Sequence, residues 1–237
     1  MIKSKAQNIY TIIFPAIVVI IMCGVTHALE TKEEAVKFFV YIDPSFGDKE
    51  NGPILLNKYA SKDVALGMGK NLRRVLESKG IVVALSRNDD VYVPLPDRIS
   101  QVKTIGADVY INIHISLSNN SCIRIYLPKG KRKYRKVEGL NTINEGLSEL
   151  ARIDDSTKFA HMIEHNLSKN VSSFCGGIKS RHLANLDKIY CPAIMLDFSV
   201  AKTDAHPYVL DPSFMNEVFN AVAKGVADYI AEIHKKQ

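Results

Sequence analysis

Cysteine is scarce in this chain, with four in 237 residues. Cys23 lies in an N-terminal apolar run. The other three, Cys122, Cys175 and Cys191, are odd in number, so at least one stays free or pairs outside the chain. Cys175 and Cys191 flank a stretch that can double back and are the pair the sequence offers; three small buried residues are the alternative. Charge is missing from Ile9 to Val25, a run preceded by Lys3 and Lys5 and followed by Thr26-His27-Ala28. Residues 1–28 read as a signal peptide cleaved after Ala28, or as an uncleaved anchor near the lower length limit of a membrane span. Met22 before Cys23 argues against a lipoprotein cleavage site. Either reading places the domain outside the cytoplasmic membrane, in a periplasmic or extracellular location. Acid is missing from Lys129 to Lys136, which holds six positive charges, equal to the whole formal net charge of +6. Lys131, Arg132, Lys133 and Arg135 there are candidate contacts for anionic lipid headgroups, acidic glycans or an acidic protein. A solvated loop is the plain alternative, and the leader argues against nucleic acid. No internal repeat is visible, so affinity for an extended ligand must come from the domain itself or from this basic stretch.

What remains is enough for one sizeable core: 46% of the residues are apolar. Phe38 to Ile42, Ile81 to Leu85, Val109 to Ile113 and Ile194 to Leu196 are short β-branched or aromatic runs, suited to strands buried on both faces. Between the first two, Val64, Leu66, Leu72, Val75 and Leu76 give Asp63 to Lys79 helical spacing, with Gly80 as a stop. A last helix, Ser213 to His234, follows Asp211-Pro212 and carries Val218, Val222, Val226 and Ile230 at steps of four. Strand and helix in alternation predict an α/β fold: a single three-layer domain over 37–237, a mostly parallel twisted sheet covered by helices. A basic insertion occupies about 128–153, where apolar residues are few.

Five segments, in order, carry a resemblance. They are Tyr41-Ile42-Asp43-Pro44-Ser45-Phe46-Gly47, Ser61-Lys62-Asp63-Val64-Ala65-Leu66, Val93-Pro94-Leu95-Pro96-Asp97-Arg98, Gly106-Ala107-Asp108-Val109-Tyr110-Ile111-Asn112-Ile113-His114 and Cys191-Pro192-Ala193-Ile194-Met195-Leu196-Asp197. They resemble zinc-dependent N-acetylmuramoyl-L-alanine amidases, which read D-P-G-H-G-G, E-K-D-V-N-L, a helix start ending in E-R, G-A-D-x-x-x-S-I-H and P-A-V-L-V-E at these places. The resemblance runs from about Val40 to Tyr229 and implies a phosphorylase/hydrolase-like sheet. It also implies zinc held by three protein ligands, with a carboxylate as acid/base, and peptidoglycan as the material cut.

Measured against that pattern, His114 keeps one metal ligand, while Phe46 and Ser61 stand where the other two are expected. A phenyl ring has no lone pair for a metal, and a neutral hydroxyl is a poor zinc ligand beside imidazole, carboxylate or thiolate. Asp197 takes the place of the acid/base Glu and is one methylene shorter, a retreat of roughly 1.5 Å; misplacements near that size cost on the order of a hundredfold in rate. Asp43 orients the first loop or caps its N–H groups, and Arg98 ion-pairs within the fold. The expectation is therefore a degenerate amidase-like domain without a cofactor, zinc being the only metal to consider. It would bind cell-wall peptidoglycan, another envelope component or a protein partner. An active amidase with a rewired or weak zinc site is the alternative, and a hydrolase using His114 and Asp197 without metal is a third. His182 and Cys122 flank the expected cleft and could approach His114. His161-Met162-Ile163-Glu164-His165 has a spacing that can bind zinc on a helix. If that helix packs through Phe159, Ala160, Ile163 and Leu167, both histidines face outward.

Overall fold

The structure, a computed structural model, describes residues 37–130, 140–172 and 174–235. The leader at 1–28 and the basic residues Lys131, Arg132, Lys133 and Arg135 lie outside the described residues. Among the described residues, no helix is long and apolar enough to cross a membrane.

A six-stranded sheet has the order β4-β1-β5-β8-β6-β7. Its strands are β1 (Phe39–Pro44), β4 (Val82–Leu85), β5 (Val109–Ser118), β6 (Cys122–Pro128), β7 (Phe174–Arg181) and β8 (Ala193–Ala201). β2 (Ile54–Leu55) and β3 (Tyr59–Ala60) form a separate small hairpin. β4, β1, β5 and β8 are parallel to one another; β6 runs antiparallel to β8 and parallel to β7. The helices are α1 (Ser61–Glu77), α2 (Leu95–Ile105), α3 (Leu140–Asn170), α4 (Ala184–Asp187) and α5 (Pro212–His234).

Side chains alternate across a strand, so each strand sends two sets of residues to two layers. One set is wholly apolar: Ile111, Ile113 and Ile115 of β5, Leu196 and Phe198 of β8, and Ile123 and Ile125 of β6. These join the main core with Leu72 of α1, Phe159, Ile163 and Leu167 of α3, and Val218 and Val222 of α5. The other set starts apolar, with Tyr41, Tyr110, Ala193 and Met195 packed with Val102 of α2 and Leu186 of α4. Two residues further along the same strands it turns polar, at Asp43, Asn112, His114, Asp197 and Ser199. The three-layer α/β expectation therefore holds, and the polar half of one face is where chemistry can sit.

The helix limits follow local rules. Asp211 caps α5 by accepting from the backbone N–H groups of Ser213 and Phe214, with Pro212 at the first turn. α2 stops at Gly106, whose φ of 68° is left-handed. The basic insertion is shorter than the expected 128–153, because α3 begins at Leu140. A helix with a narrow apolar side needs few apolar residues, and Leu150 is exposed. Phe159, Ala160, Ile163 and Leu167 are the buried side of α3, and His161 and His165 are exposed, as expected.

The expected Cys175–Cys191 pair does not form. Cys175 pairs with Cys122, at a Cα–Cα distance of 5.5 Å, because β6 and β7 lie side by side with Ile123 opposite Phe174. Cys191 sits in the apolar layer under α2 and α4, and burial pushes its thiol up to about 12.

Two outcomes test this packing. Gly225 of α5 lies so close to α3 that an added Cβ would stand 2.8 Å from Ile163 Cα and 2.9 Å from the Met162 carbonyl oxygen. Gly225→Ala is expected to lower stability by about 1–3 kcal/mol in urea unfolding, although Ala is otherwise the better helix former by about 1 kcal/mol. A stabilised variant would mean that the two helices can part. Cys191 is expected to resist iodoacetamide at neutral pH in the native protein and to react on unfolding, read by mass spectrometry.

Candidate functional site

β1 ends in Asp43, whose carboxylate is buried. Desolvating a charge is costly unless it is paired and hydrogen-bonded. Arg98 of α2 supplies the pairing charge and Tyr110 of β5 donates its hydroxyl to the other carboxylate oxygen. Asn112 donates to the Asp43 carbonyl at 2.8 Å. The same guanidinium donates to the carbonyls of Val93 (2.8 Å), Pro44 (3.2 Å) and Phe46 (3.1 Å) and to the Ser86 hydroxyl (3.2 Å). Burial and the adjoining Asp43 carboxylate push the Tyr110 hydroxyl well above the ordinary tyrosine range, and burial does the same to Tyr41, which stacks on it at 5.8 Å. Asp43 and Arg98 thus hold the loop after β1 in place.

A second buried arginine lies in Leu85-Ser86-Arg87-Asn88-Asp89, similar to the family's T-R-D, and residue order alone assigned it no role of its own. Arg87, just past β4, donates to the carbonyls of Pro44 (3.2 Å), Ser45 (3.0 Å) and Lys62 (2.7 Å). Burial, then the nearby Arg98 charge, lower its pKa. The signal was available: an Arg immediately after an apolar strand has backbone carbonyls at the strand ends within reach.

These clamps fix Phe46, which is in the left-handed region at φ 67°. That conformation is an outlier for a bulky side chain and persists where the surroundings impose it. The Phe46 ring packs on His114 with centroids 5.4 Å apart and planes at 43°. On its other side it fills the space of a Cβ at Gly52, which would stand 2.7 Å from the ring.

His114 and Asp197 are register partners on β5 and β8. His114 Nδ1 lies 2.8 Å from Asp197 Oδ1, with the imidazole 30% exposed and the carboxylate 8%. Ser199 donates to Asp197 Oδ2 at 3.0 Å, and the Ser116 hydroxyl stands 3.1 Å from the same oxygen. Both carboxylate oxygens are therefore engaged. Ser61, fully buried at the start of α1, donates its hydroxyl to the Pro53 carbonyl at 2.6 Å.

The residues at the implied metal position do not fit zinc. Phe46 offers a ring and Ser61 is committed to a carbonyl, so His114, whose Nδ1 bonds Asp197 and whose Nε2 stays available, is the one donor left of the three. The suggested substitutes stand elsewhere: His182 lies 3.3 Å from Asp187, and Cys122 is in the disulfide. His161 and His165 share the outer side of α3. Among the described residues, no three His, Cys, Asp or Glu side chains form a group able to hold a metal ion.

The chain has clear relatives. AmiA, an N-acetylmuramoyl-L-alanine amidase of Escherichia coli K12, is 24% identical over 232 residues, covering 84% of this chain and 78% of that protein. AmiA of Salmonella typhimurium is 36% identical over 85 residues, which span 36% of this chain but only 29% of that protein. Among solved structures, the amidase AmiC2 of Nostoc punctiforme superposes with a TM-score of 0.66 at 21% identity, covering 82% of this chain and 97% of that one. Residues 40–228 match the family described as N-acetylmuramoyl-L-alanine amidase. The chain belongs to the N-acetylmuramoyl-L-alanine amidase family.

Proposed function

We propose that this domain binds peptidoglycan fragments or an envelope protein outside the cytoplasmic membrane, and does not cut the bond between N-acetylmuramoyl and L-alanine. The observation that carries this reading is the Phe46 ring packed on His114, where the family's pattern asks for a second metal-binding imidazole. Catalysis of the family's kind needs an activated water and a carboxylate free to take its proton. Asp197 instead accepts from Ser199 and faces His114 and Ser116. A metal-free hydrolase built on His114 and Asp197 would have to use water as its nucleophile, because both nearby serines bond the carboxylate and not the imidazole. The polar floor that remains, with an aromatic ring at its edge, suits hydrogen-bonded recognition of amide and sugar groups.

Purified protein is expected to co-sediment with peptidoglycan and to release no peptide stems, with or without added zinc, as judged by chromatography of the soluble fraction. Zinc-dependent release that disappears in Asp197→Asn would favour the active-amidase alternative. A second outcome concerns restoration. Phe46→His together with Ser61→Glu is expected to create zinc affinity, since three donors would again converge beside His114. His also accepts a left-handed φ more readily than Phe. At a zinc concentration a hundredfold above the dissociation constant, the gain in stability is about 2.7 kcal/mol, visible as a higher melting temperature. A folded double mutant that binds no zinc in calorimetry would show that the loop from Ser45 to Ala60 has closed over the old ligand positions.

A further inference from the structure

We propose that the Cys122–Cys175 disulfide is a thiol-exchange site, at which an external low-molecular-weight thiol forms a mixed disulfide with Cys175. The two sulfurs are unequal in access: Cys122 is buried at 4% exposure, and Cys175 is exposed. A bulge presents Cys175. Between the pairs Ile123–Phe174 and Ile125–Ile178, Arg124 alone on β6 faces Cys175, Gly176 and Gly177 on β7. Gly176 and Gly177 have φ of 84° and 89°, conformations that L side chains rarely adopt. A cavity of about 580 Å³ opens beside Cys175, bordered by His161, Glu164, His165 and Ser168 of α3.

The charge arrangement favours one direction of bond breaking. Arg124 Nη2 lies 3.4 Å from Cys122 Sγ and 3.9 Å from Cys175 Sγ. Arg124 Nε is buried with no hydrogen-bond partner, so the guanidinium is under-satisfied while the disulfide is closed. An incoming thiolate attacks Cys175 Sγ, the S–S bond breaks, and the electron pair departs on Cys122 Sγ, where Arg124 stabilises the thiolate. The incoming thiol's proton passes to solvent water. The products are one mixed disulfide on Cys175 and one thiolate at Cys122, with no net oxidation. A leaving thiolate of lowered pKa departs faster. The disulfide adjoins the site already described: Cys122 is the cross-strand partner of Ser199, which bonds Asp197, and the Tyr208 hydroxyl lies 3.2 Å from the carbonyls of both Cys122 and Ser199.

The test uses the native wild-type protein with reduced glutathione at neutral pH, quenched in acid and mapped by mass spectrometry after alkylation. The expected result is one glutathionyl group on Cys175, a newly alkylated Cys122 and an unmodified Cys191. Arg124→Gln is expected to slow the exchange about threefold or more, and Arg124→Lys to restore most of the rate. Three results would overturn the proposal: a native disulfide inert to glutathione that reacts once unfolded in urea, an adduct on Cys122, or a folded Arg124→Gln variant that exchanges as fast as wild type. The wild-type map decides the matter even where the variants fail to fold.

Discussion

A single buried carboxylate, Asp43, holds the functional end of this molecule together. Its charge cannot be left unpaired in the interior, so Arg98 of α2, Tyr110 and Asn112 of β5, and the loop after β1 all converge on it. Removing one partner of such a pair typically costs about 3–5 kcal/mol, because the other charge stays buried. Once Arg98 is fixed, its remaining donors reach the carbonyls of Pro44, Phe46 and Val93. Arg87 holds the same loop from the side of β4 and α1. The loop's shape is therefore set by two arginines reading backbone carbonyls, and it needs no metal to exist. This explains how Phe46 can occupy a left-handed position beside His114 while the surrounding family scaffold stays intact.

Much of this was legible from residue order alone. β1, β4, β5 and β8 were visible because strands buried on both faces read as unbroken apolar runs. α1 and α5 showed the helical period. The ends were less legible: β5 continues to Ser118 and β8 to Ala201, where polar residues interrupt the apolar run without ending the strand. β7 was hidden by Gly176, Gly177 and a basic tail, residues that weaken a strand signal. The order placing β8 between β5 and β6 is a non-local fact that no window along the chain contains.

The disulfide misled for the same reason. Cys191 is nearer to Cys175 in sequence, but Cys122, 53 residues away, is its neighbour across the β6–β7 pairing. His114 and Asp197 could be named from the family resemblance, and their register explains the contact. Their support from Ser116 and Ser199 came into view only with the strands side by side. Arg124, register partner of Asp197, drew no attention as an isolated cation in an apolar stretch.

The division of the sheet into an all-apolar face and a half-polar face has a further consequence. Main-core residues such as Ile113, Leu196, Phe159 and Val222 lie on one side, and the polar cluster of Asp43, Asn112, His114 and Asp197 lies on the other. The main apolar core and the polar cluster are therefore assigned to opposite sides of the same strands. Positions 46, 61 and 197 can change chemical character while the helices behind the sheet keep their contacts. In such an architecture, the chemistry of one face can vary without the fold being lost.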